Sequence, residues 1–473
     1  MMYVSLVLPE IVHYKYVIVG GGTTAVGAVL GIREVDKEGS ILVIGEEEKM
    51  YSRTALSKSL WVLEEGEALE KKKAAIVYPL ELYNSAEFWS SKKVEGINVA
   101  EKRVDLADRK VYFDKLLIAT GSRPKTLEGV SQEALPHVST FRSFEDFVKL
   151  RKVAEKSRKI LVVGGSFLGT ELTSSLNQFS RTLTGSSLEV VQVFKEEAPL
   201  ASHFPDYLSH YLMKVGESRG VSFLPNRFVK RVEKEGERVK AVFENGEEME
   251  CDHVVVAIGV LPNSEITFGN AIELDANNAI STNAELQVRS NVWAAGEVAS
   301  GYTLEGRRWF KHHNDAIETG NLAGMNMAGA GEPIMYFTFY SGLAFGTRYD
   351  VVGKIGADLN SFGVWSKSEE EIQHESVVQE EKEDSSVSQE ALHQEKLKSL
   401  DPKDLQMSKE RQLKQGIVYF TNKKKRLVGI LLWDLADKND KAMDALMDGP
   451  IINDILEAST IVSIINPQDK YKN

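Results

Sequence analysis

Apolar residues fall in short unbroken runs, and most runs end in a glycine. Tyr16-Val17-Ile18-Val19, Ile41-Leu42-Val43-Ile44, residues 115–119, residues 159–163, residues 188–194 and residues 251–258 are rich in Val, Ile and Leu. This is the pattern of strands buried on both faces of a parallel sheet. After Val19 and after Val163 the chain passes through a glycine turn into small residues with helical character, so strand, tight turn and helix follow one another twice. Later the pattern changes. From Pro333 onward aromatics and glycines multiply, and apolar runs near residues 351–353, 362–365, 416–420 and 427–433 predict an antiparallel sheet closed by helices from about Asp440.

Residues 366–414 interrupt that last region with a Glu/Ser/Gln/Lys-rich stretch lacking glycine and aromatics, which reads as a disordered insertion. The apolar opening of residues 1–8 reads as a first strand or an incomplete N-terminus, without the basic region of a secretory signal or the Arg/Ser richness of a presequence. With 473 residues, 42% of them hydrophobic, the chain is long enough for about three domains. No run approaches the roughly 18 apolar residues that span a bilayer. The net charge of −12 argues against wholesale binding to nucleic acid. A single cysteine, Cys251, excludes an intrachain disulfide and a dithiol redox centre, so redox chemistry falls to a cofactor. No metal site is expected.

The first glycine turn is Gly20-Gly21-Gly22-Thr23-Thr24-Ala25. Gly20 permits the turn, Gly22 lets backbone approach a pyrophosphate, Ala25 lets the helix pack close, and the helix N-terminus offers unpaired N–H groups to phosphate. Glu46, just past the second strand, is placed to accept from an adenosine ribose. The second turn, Gly164-Gly165-Ser166-Phe167-Leu168-Gly169, repeats the arrangement, with Glu196 as its ribose acid. An acid there favours NAD(H) over NADP(H), whose 2′-phosphate it would repel. Ser166 stands where the middle glycine belongs, leaving two readings: a nicotinamide site of reduced affinity, or a structural unit that no longer binds. Thr120-Gly121 and Gly259 close two further strands, and Gly296-Glu297 closes a third, its acid suited to the ribityl hydroxyls of a flavin.

Together with Arg53-Thr54-Ala55-Leu56-Ser57-Lys58, His312-His313, residues 283–293 and the strands 416–420 and 428–433, this order resembles the two-dinucleotide-binding-domain flavoproteins of glutathione-reductase fold. Within them the chain is similar to the apoptosis-inducing factor family over nearly its whole length. The resemblance implies an α/β protein with two Rossmann-like domains, the NAD domain inserted in the FAD domain, and a C-terminal α+β domain. The expected boundaries are 13–123 and 261–331 for FAD, 124–260 for NADH and 332–473 for the C-terminal domain. It implies FAD and NADH as cofactors and an FAD-dependent NADH oxidoreductase activity. Lys58 and Glu171 would pair beside the flavin, Arg53 would meet its phosphate or ribose, Phe167 would shield the nicotinamide face, and His312 would sit where the two rings meet. Tyr340 falls near the family's flavin-proximal tryptophan, Lys311 replaces an acid and Ser202 a lysine. No role is assigned to His313.

The same resemblance implies mitochondrial residence in the intermembrane space, relocation to the nucleus on cell death, and a disulfide-relay import oxidoreductase as partner. It implies a homodimer on reduction, with Glu273 and Arg289 as contacts and Ser281 replacing a further arginine. It also implies weak non-specific DNA binding, to which Lys71-Lys72-Lys73, Arg307-Arg308 and the turn Asn422-Lys423-Lys424-Lys425-Arg426 could contribute; a solvated hairpin tip is the other reading of that turn. The insertion is either a switch released on reduction or a plain linker. Two rival functions remain: a soluble NADH:ferredoxin- or quinone-type reductase, and a flavin-stabilised binding protein that NADH switches. The electron acceptor is not named by the residues.

Overall fold

The buried strands assemble as two separate sheets, a mixed one with a parallel core and a wholly parallel one, each leading into its own glycine turn. The computed structural model describes residues 10–62, 68–79, 81, 84–182, 188–366 and 413–462; the strand expected at residues 1–8 and almost all of the expected insertion lie outside them. The first sheet runs Gln287–Arg289, Val292–Ala294, Arg109–Ile118, Glu10–Val19, Ile41–Ile44, Glu87–Trp89. Glu10–Val19 is its central strand, pairing in parallel with Ile41–Ile44 and with Arg109–Ile118. The second sheet is wholly parallel, in the order Ser222–Leu224, Glu189–Val193, Lys159–Val163, His253–Val256, Val138–Thr140. In the second sheet Ile160, Val162, Val190 and Val255 pack on helices Phe144–Ala154 and Phe167–Thr182, while Leu161, Val163, Val191, Val193, Val254 and Val256 pack on the antiparallel sheet Val229–Glu235, Arg238–Phe243, Glu248–Cys251, so its strands are covered on both faces as their continuous hydrophobicity requires.

The helix after the first turn, Thr23–Val35, packs on the late helix His313–Ala328. A Cβ added at Gly27, Gly31, Gly320 or Gly324 would strike the backbone of the opposing helix. Small side chains therefore set the close crossing that returns the chain to the first sheet after the second is complete.

The described chain divides into two compact units, one comprising residues up to Glu196 with Arg219–Tyr340, the other Glu197–Ser218 with residues from Ser341 onward. Both of these sheets belong to the first. The second holds the sheet Phe339–Ala344, Thr347–Gly353, Leu427–Trp433, Gly416–Thr421, Asn360–Trp365, with antiparallel pairing as expected, and the helices Asn439–Asp448 and Ile455–Ile461. Helix Asp206–Ser218 differs from the expectation. The sequence reading placed it in the nicotinamide domain, but it groups with the C-terminal sheet. Phe204 meets Tyr349 edge-on at 5.2 Å, Tyr207 meets Trp365 at 6.1 Å and Tyr211 meets Trp433 at 6.3 Å. Such edge-to-face aromatic pairs add to what area burial alone supplies.

One buried group makes the second sheet acid-sensitive. His253 is 5% exposed, and its Nε2 lies 2.8 Å from Ser139 Oγ. Burial, helped by the nearby His137, pushes its pKa down to about 4. The folded protein keeps the ring neutral while the unfolded chain protonates it below its ordinary value, so stability is lost as the pH falls from about 6.5 toward 4. The penalty is on the order of 3 kcal/mol when the window has been crossed. We expect His253→Asn to lose less thermal midpoint than wild type between pH 7 and pH 4.5. Parallel midpoint-versus-pH curves would remove His253 from the account of acid lability.

Candidate functional site

Strand Glu10–Val19 delivers the chain to Gly20 at φ +119°, in the left-handed region that only glycine occupies readily. A side chain at Gly20 would also strike the carbonyl of Ala119, so the turn folds back over the end of its neighbouring strand. The second sheet repeats the device: Gly164 has φ +125°, and its missing Cβ would strike the carbonyl of Ala257. At Gly22 an added Cβ would meet nothing, and the helix that starts there has no side-chain cap and no acid in its first turn. Its first N–H groups are thus left to an anion arriving through open space. Glu46 and Glu196 stand exposed just past their respective strands, as a ribose requires.

A cavity of about 940 Å³ takes its lining from both Rossmann units, while the expected Lys58, Gly164, Phe167, Glu171, Glu196 and Tyr340 are not among its lining residues. Gly20, Gly22, Thr23, Glu46, Arg53, Thr120, Gly121, Ser166, Leu168, Gly259, Glu297 and His312 line it. Ala25, Gly169 and Gly296 act as spacers behind the wall: Ala25 is fully buried, and a Cβ on Gly169 or Gly296 would meet the Gly164 carbonyl or the Thr24 side chain. Ser166 Oγ donates to the carbonyl of Ala257 at 3.3 Å, turning its hydroxyl back toward the strand end.

Lys58 and Glu171, 113 positions apart in the notation of the chain but from different Rossmann units, form an ion pair at 2.9 Å. Glu171 is 7% exposed and also accepts from Ser57 Oγ at 2.7 Å, while Ser175 Oγ donates to the Ser57 carbonyl at 2.7 Å. Beneath them Trp61, fully buried, meets Phe147 at 5.1 Å and Phe179 at 5.6 Å. The loop carrying Lys58 is thereby fastened to the helix Phe167–Thr182 that follows the second glycine turn. His312 and Tyr340 stack face to face, with ring centroids 3.8 Å apart and planes at 1°, and Phe167 meets Tyr340 edge-on at 5.2 Å. This aromatic wall unites three expected residues from distant parts of the sequence.

Arg53 stacks on Tyr51 and donates to its hydroxyl at 2.9 Å, pairs with Glu47, and donates to the carbonyl of Arg142 at 3.3 Å. Glu297 pairs with Arg142 and accepts from Ser122 Oγ at 2.8 Å. Arg142 escaped the sequence reading because it lies between motifs, in a loop with no periodic signal. His313, given no role, also lines the cavity. Burial holds its pKa below the ordinary value, the Lys58 cation adds to that and Glu297 opposes it.

One expectation of a DNA-contacting surface is corrected. Arg308 is committed to a buried ion pair with Asp315, 2.6 Å away, and presents no free guanidinium. In the hairpin turn all four cations from Lys423 to Arg426 are exposed, with Lys425 Nζ donating to Asn453 at 3.1 Å and Arg426 to the Gly449 carbonyl at 2.9 Å. Of the residues expected at a dimer contact, the Ser281 N–H donates to the Glu273 carbonyl at 2.9 Å, while Arg289 reaches the carbonyl of Ala271.

The residues present fit FAD and a nicotinamide dinucleotide: two glycine cradles, an uncapped helix N-terminus, ribose acids, and one continuous cleft between them. Residues 14–320 match the pyridine nucleotide-disulphide oxidoreductase family model, and residues 323–448 match that of the C-terminal domain of mitochondrion-associated apoptosis-inducing factor. The chain is 33% identical to apoptosis-inducing factor 1, mitochondrial, of Dictyostelium discoideum, over 94% of this chain and 80% of that protein. A probable ferredoxin reductase of Castellaniella defragrans is 32% identical over 60% of this chain and 67% of its own length. Among solved structures, the covalent putidaredoxin reductase–putidaredoxin complex matches with a TM-score of 0.73 at 18% identity, covering 95% of this chain and 97% of that one.

Proposed function

The chain belongs to the pyridine nucleotide-disulphide oxidoreductase family and is an apoptosis-inducing-factor-like, FAD-dependent NADH oxidoreductase, and from that premise we propose that its reduction by NADH serves chiefly to switch its association with partners. When bound, the two cofactors supply hydride transfer from nicotinamide to flavin. The protein's part is positioning and electrostatics. Lys58 places a cation beside the cleft, next to its lining residue Ser57, where negative charge develops, and Glu171 with Ser57 holds it there. Phe167, His312 and Tyr340 wall the cleft against water. Arg53, Arg142 and Glu297 orient the flavin's phosphate and ribityl side.

The observation that carries the reading is the Lys58–Glu171 pair, which joins the two nucleotide-binding units at one point. The switching role draws on the C-terminal domain and on the exposed Glu273 and Arg289, opposite charges that a twofold axis could pair between copies. Mitochondrial residence in the intermembrane space, an import oxidoreductase as partner and relocation to the nucleus belong to the same proposal. DNA binding, carried by Lys71, Lys73, Arg307, Lys423 and Lys424, is weak and is lost as salt rises.

Anaerobic NADH titration with sedimentation analysis tests this. A persistent long-wavelength absorption band, slow reoxidation and a shift from monomer to dimer are expected. The second reading, a carrier reductase, is favoured by the similarity to a probable ferredoxin reductase. It predicts rapid bleaching, rapid reoxidation by an iron–sulfur carrier and no change in mass.

A further inference from the structure

Arg308 lies on the hairpin strand Gly306–Trp309, and its carboxylate partner Asp315 lies in the first turn of helix His313–Ala328. The guanidinium makes a bidentate contact to Asp315, at 2.8 Å and 2.6 Å, and Asp315 is fully buried. Burial alone would keep Asp315 protonated, but the Arg308 hydrogen bonds hold its pKa below the usual carboxylate range. The same carboxylate accepts the backbone N–H groups of Lys311 and His312, each at 3.2 Å. Arg308 therefore fixes the turn that carries His312 into the cleft.

Its other side faces a second carboxylate. Arg308 Nε lies 3.3 Å from Glu305, which is 7% exposed. Glu305 accepts both the backbone N–H of Thr338, at 2.9 Å, and the Thr338 hydroxyl, at 2.5 Å. Thr338 is two residues before Tyr340, the ring stacked on His312. Tyr336 flanks the guanidinium at 5.9 Å, and its hydroxyl lies 3.4 Å from Asp315. One buried cation thus ties together the two segments whose rings form the wall. A buried ionic cluster is a poor source of stability compared with apolar packing, so its use here points to specificity of geometry.

We infer that Arg308, through Asp315 and Glu305, is a positioning residue that sets the stacked His312–Tyr340 pair in register at the cofactor cleft. The inference rests on the reading of His312 as a cofactor-facing residue. Arg308 itself has no place in the cleft wall; it acts through the two chain segments that it joins.

The test pairs Arg308→Met with Asp315→Leu, removing both members of the bidentate ion pair together while Glu305 keeps its two Thr338 donors. In the apoprotein, the imidazole proton signals of ¹³C-labelled His312 should lose the ring-current shift imposed by Tyr340. In the FAD-loaded protein, the rate of anaerobic reduction by NADH should fall on the order of tenfold or more, with the KM for NADH within about twofold. In a His312→Ala background the same pair of changes should cost nothing further, because groups acting through one residue are not additive. An unchanged ring-current shift, an unchanged rate, or an equal loss in both backgrounds overturns the inference while leaving the proposed function intact. If His312→Ala alone leaves reduction unaffected, the reading of the site falls and the inference with it. Should the paired variant not accumulate as folded protein, Arg308→Lys in the same two backgrounds carries the comparison, since it keeps the charge and drops the bidentate geometry.

Discussion

Lys58→Met should slow anaerobic reduction of the bound flavin by NADH on the order of 10²-fold, the loss typical of removing one preorganised electrostatic contact from a water-poor site. The lysine is 22% exposed and its partner Glu171 only 7%, so the pair acts where water screens it poorly. Glu171→Ala should be similarly damaging for a different reason. It frees the ammonium to swing toward solvent and removes the acceptor of the Ser57 hydroxyl, which together hold the loop on helix Phe167–Thr182. Because the two residues work as a unit, the double variant should be little worse than the worse single one. Stopped-flow absorbance on protein of verified flavin content measures this. Rates within about twofold of wild type for both single variants would reduce the pair to a structural tie between domains, a role that the Trp61 cluster could fill alone.

The legible parts of the molecule are those where a local rule dictates the residue. Gly20 and Gly164 were readable because a strand that must turn directly into a helix needs a left-handed residue there, and the apolar runs on either side mark the strand and helix ends. Lys58, Glu171 and His312 were readable only through family resemblance, since a lone lysine or histidine carries no periodic signal. Arg142 and the Arg308–Asp315 pair were not readable at all in these roles. Each depends on a contact between segments far apart in sequence, and an arginine beside a hairpin looks the same whether it is solvated or buried. The displaced helix Asp206–Ser218 failed for a related reason. Its aromatic stripe announces burial, but nothing in it says which sheet will supply the matching aromatics.

The duplicated turn permits a contrast that separates the two cofactors. Gly20→Val forces a β-branched residue to φ +119° and drives its Cβ onto the Ala119 carbonyl, so the first cradle cannot close. The protein should purify without its yellow cofactor and should not take it up from excess FAD; Gly20→Ala, which carries the same Cβ, should lose the colour as well. Gly164→Val places the same strain on the second cradle, against the carbonyl of Ala257. That variant should remain yellow and be reduced normally by dithionite, while the KM for NADH rises on the order of 100-fold or reduction by NADH disappears. Ser166 gives this result its weight, since its hydroxyl is turned back onto the Ala257 carbonyl and its Cβ narrows the approach of a pyrophosphate. If Gly164→Val is reduced by NADH with unchanged KM, the second Rossmann unit is scaffold alone, and the reductant must reach the flavin by a route that bypasses its glycine turn.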